Sequence, residues 1–238
     1  MDFLISPEFW VALGQIIIID ILLGGDNAVV IALACRKLPP AQRTKGIIWG
    51  TAGAIVLRVI LIAFAMTLLN VPFLKLVGAL LLVWIGVKLL APDEDGHGDV
   101  VGSDKLLAAI KTIIVADLVM SVDNVIAIAG AAQNAGDHSM LLVVLGLLIS
   151  IPIIVWGSQL VIKLMARFPI IITAGGMLLG WIAGGMLVTD PAFANPDQWS
   201  WMLKLPQTDA VRYGAAVAGA LLVLTVGKRL ARNAPQEA

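Results

Sequence analysis

The chain is poor in the side chains that soft metals and disulfides need. It has one cysteine, Cys35, two histidines, one tyrosine and 13% charged residues in 238 positions. A single thiol excludes an internal disulfide and any cluster of cysteine ligands. His97 and His138 lie in polar connecting stretches, so a soft-metal site within the apolar runs is poorly supplied. Long polar stretches are missing too, which leaves no room for a separate soluble domain. The start, "MDFLISPEFW", has neither the basic n-region nor the small-residue cleavage site of a signal peptide, and the first apolar run is expected to be a permanent helix. Neither sign of charge dominates, with 16 Lys+Arg against 16 Asp+Glu, and no nucleic-acid partner is expected.

What is present is apolar sequence: 60% of residues are hydrophobic and the mean hydropathy is +0.97. That composition, with runs long enough to cross a hydrocarbon core about 30 Å thick, reads as an all-α polytopic membrane protein whose principal surroundings are a lipid bilayer. Apolar runs and breakers together predict seven transmembrane helices, near 9–35, 46–69, 73–91, 106–133, 139–165, 169–188 and 210–228. The connection "CRKLPPAQRTK" carries Arg36, Lys37, Arg43 and Lys45, which puts it in the cytoplasm by the positive-inside rule. Alternation then places the N-terminus outside and the C-terminus inside. Eleven of the 16 basic residues fall on the cytoplasmic side, while Arg58 and Lys111 fall within spans two and four. In the external loop before span seven, Trp199 and Trp201 read as interfacial anchors.

The sequence repeats itself at an offset of 97. Asp20 aligns with Asp117, Asp26 with Asp123, Asn27 with Asn124, Pro72 with Pro169, Gly78 with Gly175 and Trp84 with Trp181. Asp, Asn, Pro and Trp are uncommon in membrane spans, so such matches are not low-complexity coincidence. Each copy holds three spans. Three being odd, the second copy enters the membrane from the opposite side, a 3+3 inverted-topology repeat with one extra C-terminal helix. The expected organisation is a first repeat at 9–91, an acidic cytoplasmic linker at 92–105, a second repeat at 106–188, an external loop at 189–209, and a seventh helix with a basic tail at 210–238. Small residues on that helix, Gly214, Ala215, Ala218 and Gly219, would allow close packing against the bundle or against a second copy in a homodimer.

Each half opens on acids: "DILLGGDNAVVIALA" from Asp20 and "DLVMSVDNVIAIAGA" from Asp117. An aspartate at the bilayer centre costs about 2.5–3.5 kcal/mol, so something must interact with these four. On an ideal helix Asp20 and Asp26 would point roughly 120° apart, but Gly24 and Gly25 weaken the helix between them. The second copy has Ser121 and Val122 there, so a break is predicted for the first span more than for the fourth. Carboxylate, amide and backbone oxygens suit a hard divalent cation such as Mn²⁺, Mg²⁺ or Ca²⁺. The candidate ligands are Asp26 and Asp123, with Asn27 and Asn124, then Asp20 and Asp117. The acids also read as a structural polar contact between helices, and the asparagines as helix caps. Converging carboxylates would make proton and cation binding compete, so proton-for-metal exchange is a natural expectation. Arg58 reads as a counter-charge for these acids or as a side chain reaching an interface. Gln159 and Ser158 either line a path or bond to a neighbour.

These paired motifs look like those of the TerC family of integral membrane proteins, in particular its YjbE-type members, and that family is similar to the wider LysE-like transporter superfamily. The resemblance runs through all seven spans. It implies a divalent metal cation transporter, with Mn(II) efflux across a bacterial plasma (inner) membrane as the leading role, and Asp20, Asp26, Asn27, Asp117, Asp123 and Asn124 as its site. The cation is then substrate, and no prosthetic group is expected. A LysE-like exporter of an organic cation or amino acid, or a membrane factor handing metal to partner proteins, would read much alike. An enzyme is not expected: "LGGD" at Leu23 to Asp26 departs from the Gly-x-Gly-Asp of intramembrane aspartyl proteases, and a catalytic dyad leaves paired asparagines without a role.

Overall fold

The computed structural model describes residues 7–23, 25–64, 71–91, 102–133, 139–194 and 205–233. Every regular element among them is an α-helix: α1 (Pro7–Leu23), α2 (Gly25–Cys35), α3 (Pro40–Ala63), α4 (Leu74–Leu90), α5 (Gly102–Gln133), α6 (Ser139–Arg167), α7 (Ile170–Val188), the single turn α8 (Pro191–Ala194) and α9 (Asp209–Asn233). The linker with His97, the turn with Asp137 and His138, and the loop with Trp199 and Trp201 lie outside the described residues.

Among the described residues four helices are long and apolar enough to cross a membrane, Pro40–Ala63, Leu141–Arg167, Ile170–Val188 and Asp209–Arg232. The bent pair Phe9–Ile21 and Gly25–Cys35 makes a fifth if it is one span. Helices α4 and α5 fall where the third and fourth spans are expected. Helix α3 begins six positions before the expected span, at Pro40, because Pro at the first helical position lacks only an N–H that would be unpaired there anyway. From the first turn of α3, Arg43 donates from Nε to the Leu38 carbonyl (2.8 Å) and from Nη2 to that of Arg36 (3.0 Å), satisfying backbone left over where α2 ends.

The predicted break is present. Helix α1 stops at Leu23, α2 starts at Gly25, and the axis turns by 45° between them. The equivalent stretch of α5, with Ser121 and Val122, stays helical throughout. Glycine in a helix costs about 1 kcal/mol relative to alanine, and two in succession mark the weakest point of the first span.

The chain folds as two compact units, and each draws on both halves of the sequence repeat. One takes its described residues from Met1–Leu68 and Ala109–Lys163, the other from Leu69–Ala108 and Leu164–Ala238. In the first unit a core of buried apolar side chains from α1, α3, α5 and α6 includes Phe9, Ile16, Leu61, Ile128 and Leu147. Two contacts there mirror each other. A Cβ on Gly50 of α3 would lie 2.5 Å from Ile113 of α5, and one on Gly146 of α6 would lie 2.5 Å from Ile16 of α1. Ile16 and Ile113 are 97 positions apart, so equivalent isoleucines each fill a glycine notch on a helix from the other half.

The second unit contains α4, α7 and α9, packed through small residues. A Cβ on Gly180 would lie 2.3 Å from the Gly219 carbonyl oxygen, and one on Gly184 would lie 2.0 Å from that of Ala215. Helices α7 and α9 thus touch backbone to backbone, which dispersion favours in lipid, where burying apolar area gains little. Gly219 and Ala215 are used within the chain, while Gly214 and Ala218 face outward. Asp190, fully buried, accepts from the N–H groups of Phe73 (2.9 Å), Leu76 (3.0 Å) and Ala192 (2.8 Å), and so caps the start of α4 from a point 117 residues away. Phe73 holds a left-handed φ of 66° at that cap.

Large apolar side chains cover the outside, among them Trp49, Trp156 and Ile170 at 65%, 68% and 75% exposure. Such a surface suits hydrocarbon and not water. Trp84 and Trp181, matched at the 97-residue offset, are both on this outer face, Trp84 under Lys88 Nζ at 5.2 Å and Trp181 beside Tyr213 at 6.1 Å between rings. An indole at a helix surface exchanges lipid contact for a cation or ring neighbour at little cost.

Candidate functional site

The polar centre of the first unit is built around Arg58. It lies near the C-terminal end of α3, five residues before Ala63, and is 3% exposed. Its Nη1 pairs with Asp20 of α1 and its Nη2 with Asp117 of α5, both carboxylates being buried. Its Nε donates to Ser121 Oγ at 3.0 Å, and the Ser121 hydroxyl in turn donates to Asp117 Oδ2 at 3.0 Å. Ser150 of α6, also buried, donates to the Gly146 carbonyl of its own helix at 3.0 Å. Three helices therefore meet on one guanidinium. A buried charge left without partners would be strongly unfavourable, and the planar fork of arginine, unlike a lysine ammonium, can serve two carboxylates and a hydroxyl at once.

The asymmetry of this arrangement follows from the sequence. Asp20 and Asp117 are equivalent under the 97-residue offset, but the position equivalent to Arg58 is Val155, and the position equivalent to Ser121 is Gly24. One cation serves two matching acids. The departure from symmetry at Ser121 supports that cation, a role readable in the sequence only once the acids and Arg58 are known to meet.

The other motif residues are arranged differently. Asp26 opens α2, where an acid suits the positive end of the helix dipole, and its Oδ1 accepts from the N–H of Asn27 at 2.9 Å. Asn27 is 4% exposed, and among the described residues neither its Oδ1 nor its Nδ2 has a hydrogen-bond partner. Asn124 is half-buried on α5, and the side chain of Asp123 lies outside the described residues. Asn27 faces a cavity with about 10 Å³ of room for a water-sized sphere, lined also by Val30, Ile31, Ile113 and Asp117. That is the space of one water or one small ion. Thr51 of α3 is a further buried residue whose hydroxyl is unpartnered, and the motif gives no signal for it. Ser158 donates to the Ile154 carbonyl at 2.8 Å and stays within its own helix.

The structure thus brings together Asp20, Asp117 and Arg58, and places Asn27 and Asp117 on one cavity. Among the described residues no three His, Cys, Asp or Glu side chains converge where they could hold a metal ion. The acids that do approach each other are joined by an arginine instead.

An all-helical protein with a lipid-suited surface and a buried ionic centre is an integral membrane protein. The sequence comparison agrees: residues 5–234 match the model of the integral membrane protein TerC family, and the chain belongs to that family. The uncharacterized membrane protein YjbE of Bacillus subtilis (strain 168) is 45% identical over 183 residues, which cover 77% of this chain and 82% of that protein. YceF of the same organism, also an uncharacterized membrane protein, is 26% identical over 191 residues, 76% and 72% of the two chains. The UPF0053 inner membrane protein YgdQ of Escherichia coli (strain K12) is 28% identical over 181 residues, 69% and 74%. No solved structure matches the chain.

Proposed function

We propose that the protein transports a hard divalent cation, with Mn²⁺ leaving the cell across a bacterial plasma membrane in exchange for protons. In this reading seven spans form the two inverted repeats and the added helix, with the N-terminus outside and the C-terminus in the cytoplasm. The observation that carries it is the buried, unpartnered amide of Asn27 facing a cavity for one small ion together with the carboxylate of Asp117. A buried polar group without a partner costs free energy, and a cation in the cavity would satisfy the Asn27 oxygen. The mirrored glycine–isoleucine contacts support two pseudo-equivalent halves, which is the architecture in which transporters place ion sites at mid-membrane. The small volume of the cavity favours an ion over an organic cation or amino acid. The inner-membrane name of the YgdQ relative supports the location.

The test is uptake of Mn²⁺ by proteoliposomes holding the purified protein, with and without a pH gradient, against Asn27→Ala and Asp26→Asn. Wild-type flux that falls at least tenfold in both variants, while their melting curves persist, is the expected result. Absent wild-type flux, or flux unchanged in both folded variants, would overturn the reading.

A further inference from the structure

Arg58 is more than a neutraliser of buried acids, because one of its two partners also borders the cavity. Asp117 gives one oxygen to the guanidinium and accepts the Ser121 hydroxyl with the other, yet it lines the same small space as the unpartnered Asn27 amide. A divalent cation held there by Asn27 and Asp117 would stand beside the guanidinium, and two cations on one carboxylate repel. Asp20 offers the guanidinium an alternative, since it is already bound through a separate nitrogen, Nη1. With both acids ionised, Asp20, Asp117 and Arg58 would together carry a net charge of −1, so the cluster without cargo would keep negative charge for a cation while neither acid is left bare. The position equivalent to Arg58 in the other half is Val155, so the repeat supplies no second cation there.

We infer that Arg58 is a tethered competitor of the transported cation: it bridges Asp20 and Asp117 when the site is empty, and retreats onto Asp20 alone when a divalent cation takes Asp117 and Asn27. The inference rests on the transport reading above. It assigns to Arg58 the release step, in which the guanidinium reclaims Asp117 and expels the ion.

The experiment is Mn²⁺ titration of the purified full chain in detergent, followed by melting temperature and bound metal, for wild type, Arg58→Gln and Arg58→Lys. Removing the competitor should tighten Mn²⁺ binding at least tenfold in Arg58→Gln, and Mn²⁺ should raise its melting temperature by more than it raises that of wild type, since the stabilisation by a ligand grows with the logarithm of its affinity. Arg58→Lys keeps the charge but cannot bridge two carboxylates, so its affinity should fall between the two. In proteoliposomes both variants should load Mn²⁺ and turn over more slowly. Affinity unchanged or weakened in Arg58→Gln overturns the competitor, as that is the outcome of a purely structural clamp. If Arg58→Gln cannot be recovered folded even with Mn²⁺, Arg58→Lys decides, and a wild-type affinity there overturns it. The wild-type arm reports separately on the transport reading: absence of Mn²⁺ binding there removes that reading and this one with it.

Discussion

The two units solve one physical problem in opposite ways. Inside lipid, helices cannot rely on expelling water, so they need close packing or polar contacts. The second unit uses packing, with α7 and α9 touching backbone to backbone at Gly180, Gly184, Ala215 and Gly219. The first unit uses charge, with α1, α3 and α5 joined through Asp20, Arg58 and Asp117. Backbone contact has one geometry and resists change, whereas an ionic bridge with several acceptors can exchange partners without losing its charge balance. The difference assigns rigidity to one set of helices and chemical responsiveness to the other.

The comparison can be broken most severely at Arg58. Arg58→Ala leaves two buried carboxylates without their cation and should cost about 3–5 kcal/mol in a melting experiment in detergent. Replacing all three charges at once, as Arg58→Met with Asp20→Leu and Asp117→Leu, should restore stability to near wild type or above, because an apolar core of similar volume escapes the desolvation of buried ions. Recovery in the triple variant with Mn²⁺ flux abolished would mean that the charges serve transport and not the fold. Gly180→Ala comes next. Its Cβ would lie 2.3 Å from the backbone oxygen of Gly219, the helices must part, and a loss of about 1–3 kcal/mol is expected. The smallest effect belongs to Gly50→Ala. The Cβ there meets Cδ1 of Ile113 at 2.5 Å, which can turn aside, and its Cβ and Cγ2 at 3.1 Å, which must give by a few tenths of an ångström, so the loss should be about 1 kcal/mol in the same melt, below that at Gly180. Equal losses at Gly50 and Gly180 would erase the distinction between the two packings.

Much of the helical layout is readable from the chain, because apolar runs bounded by Pro39–Pro40, Pro72 and Pro169 leave few alternatives. The bend of the first span is readable as well, since Gly24 and Gly25 sit between two acids and their counterparts Ser121 and Val122 do not weaken a helix in the same way. Arg58 stands out as a charge within an apolar run, but its partners depend on how three distant helices pack. The same limit hides Asp190, which follows an apolar run like an ordinary loop acid and yet caps a helix 117 residues earlier. Local pattern marks a residue as costly, and only tertiary structure says which group removes the cost. The outward positions of Trp84 and Trp181 show the converse: in a membrane, a large apolar residue need not be inside.

The single guanidinium at the centre of the first unit also bears on symmetry. Two identical three-helix chains meeting across a two-fold axis would contribute two arginines to their two equivalent aspartates, or none. A ratio of one to two requires two halves that differ, as they do here with arginine at 58 and valine at 155. No symmetric dimer of either half could hold this one guanidinium between its two equivalent acids.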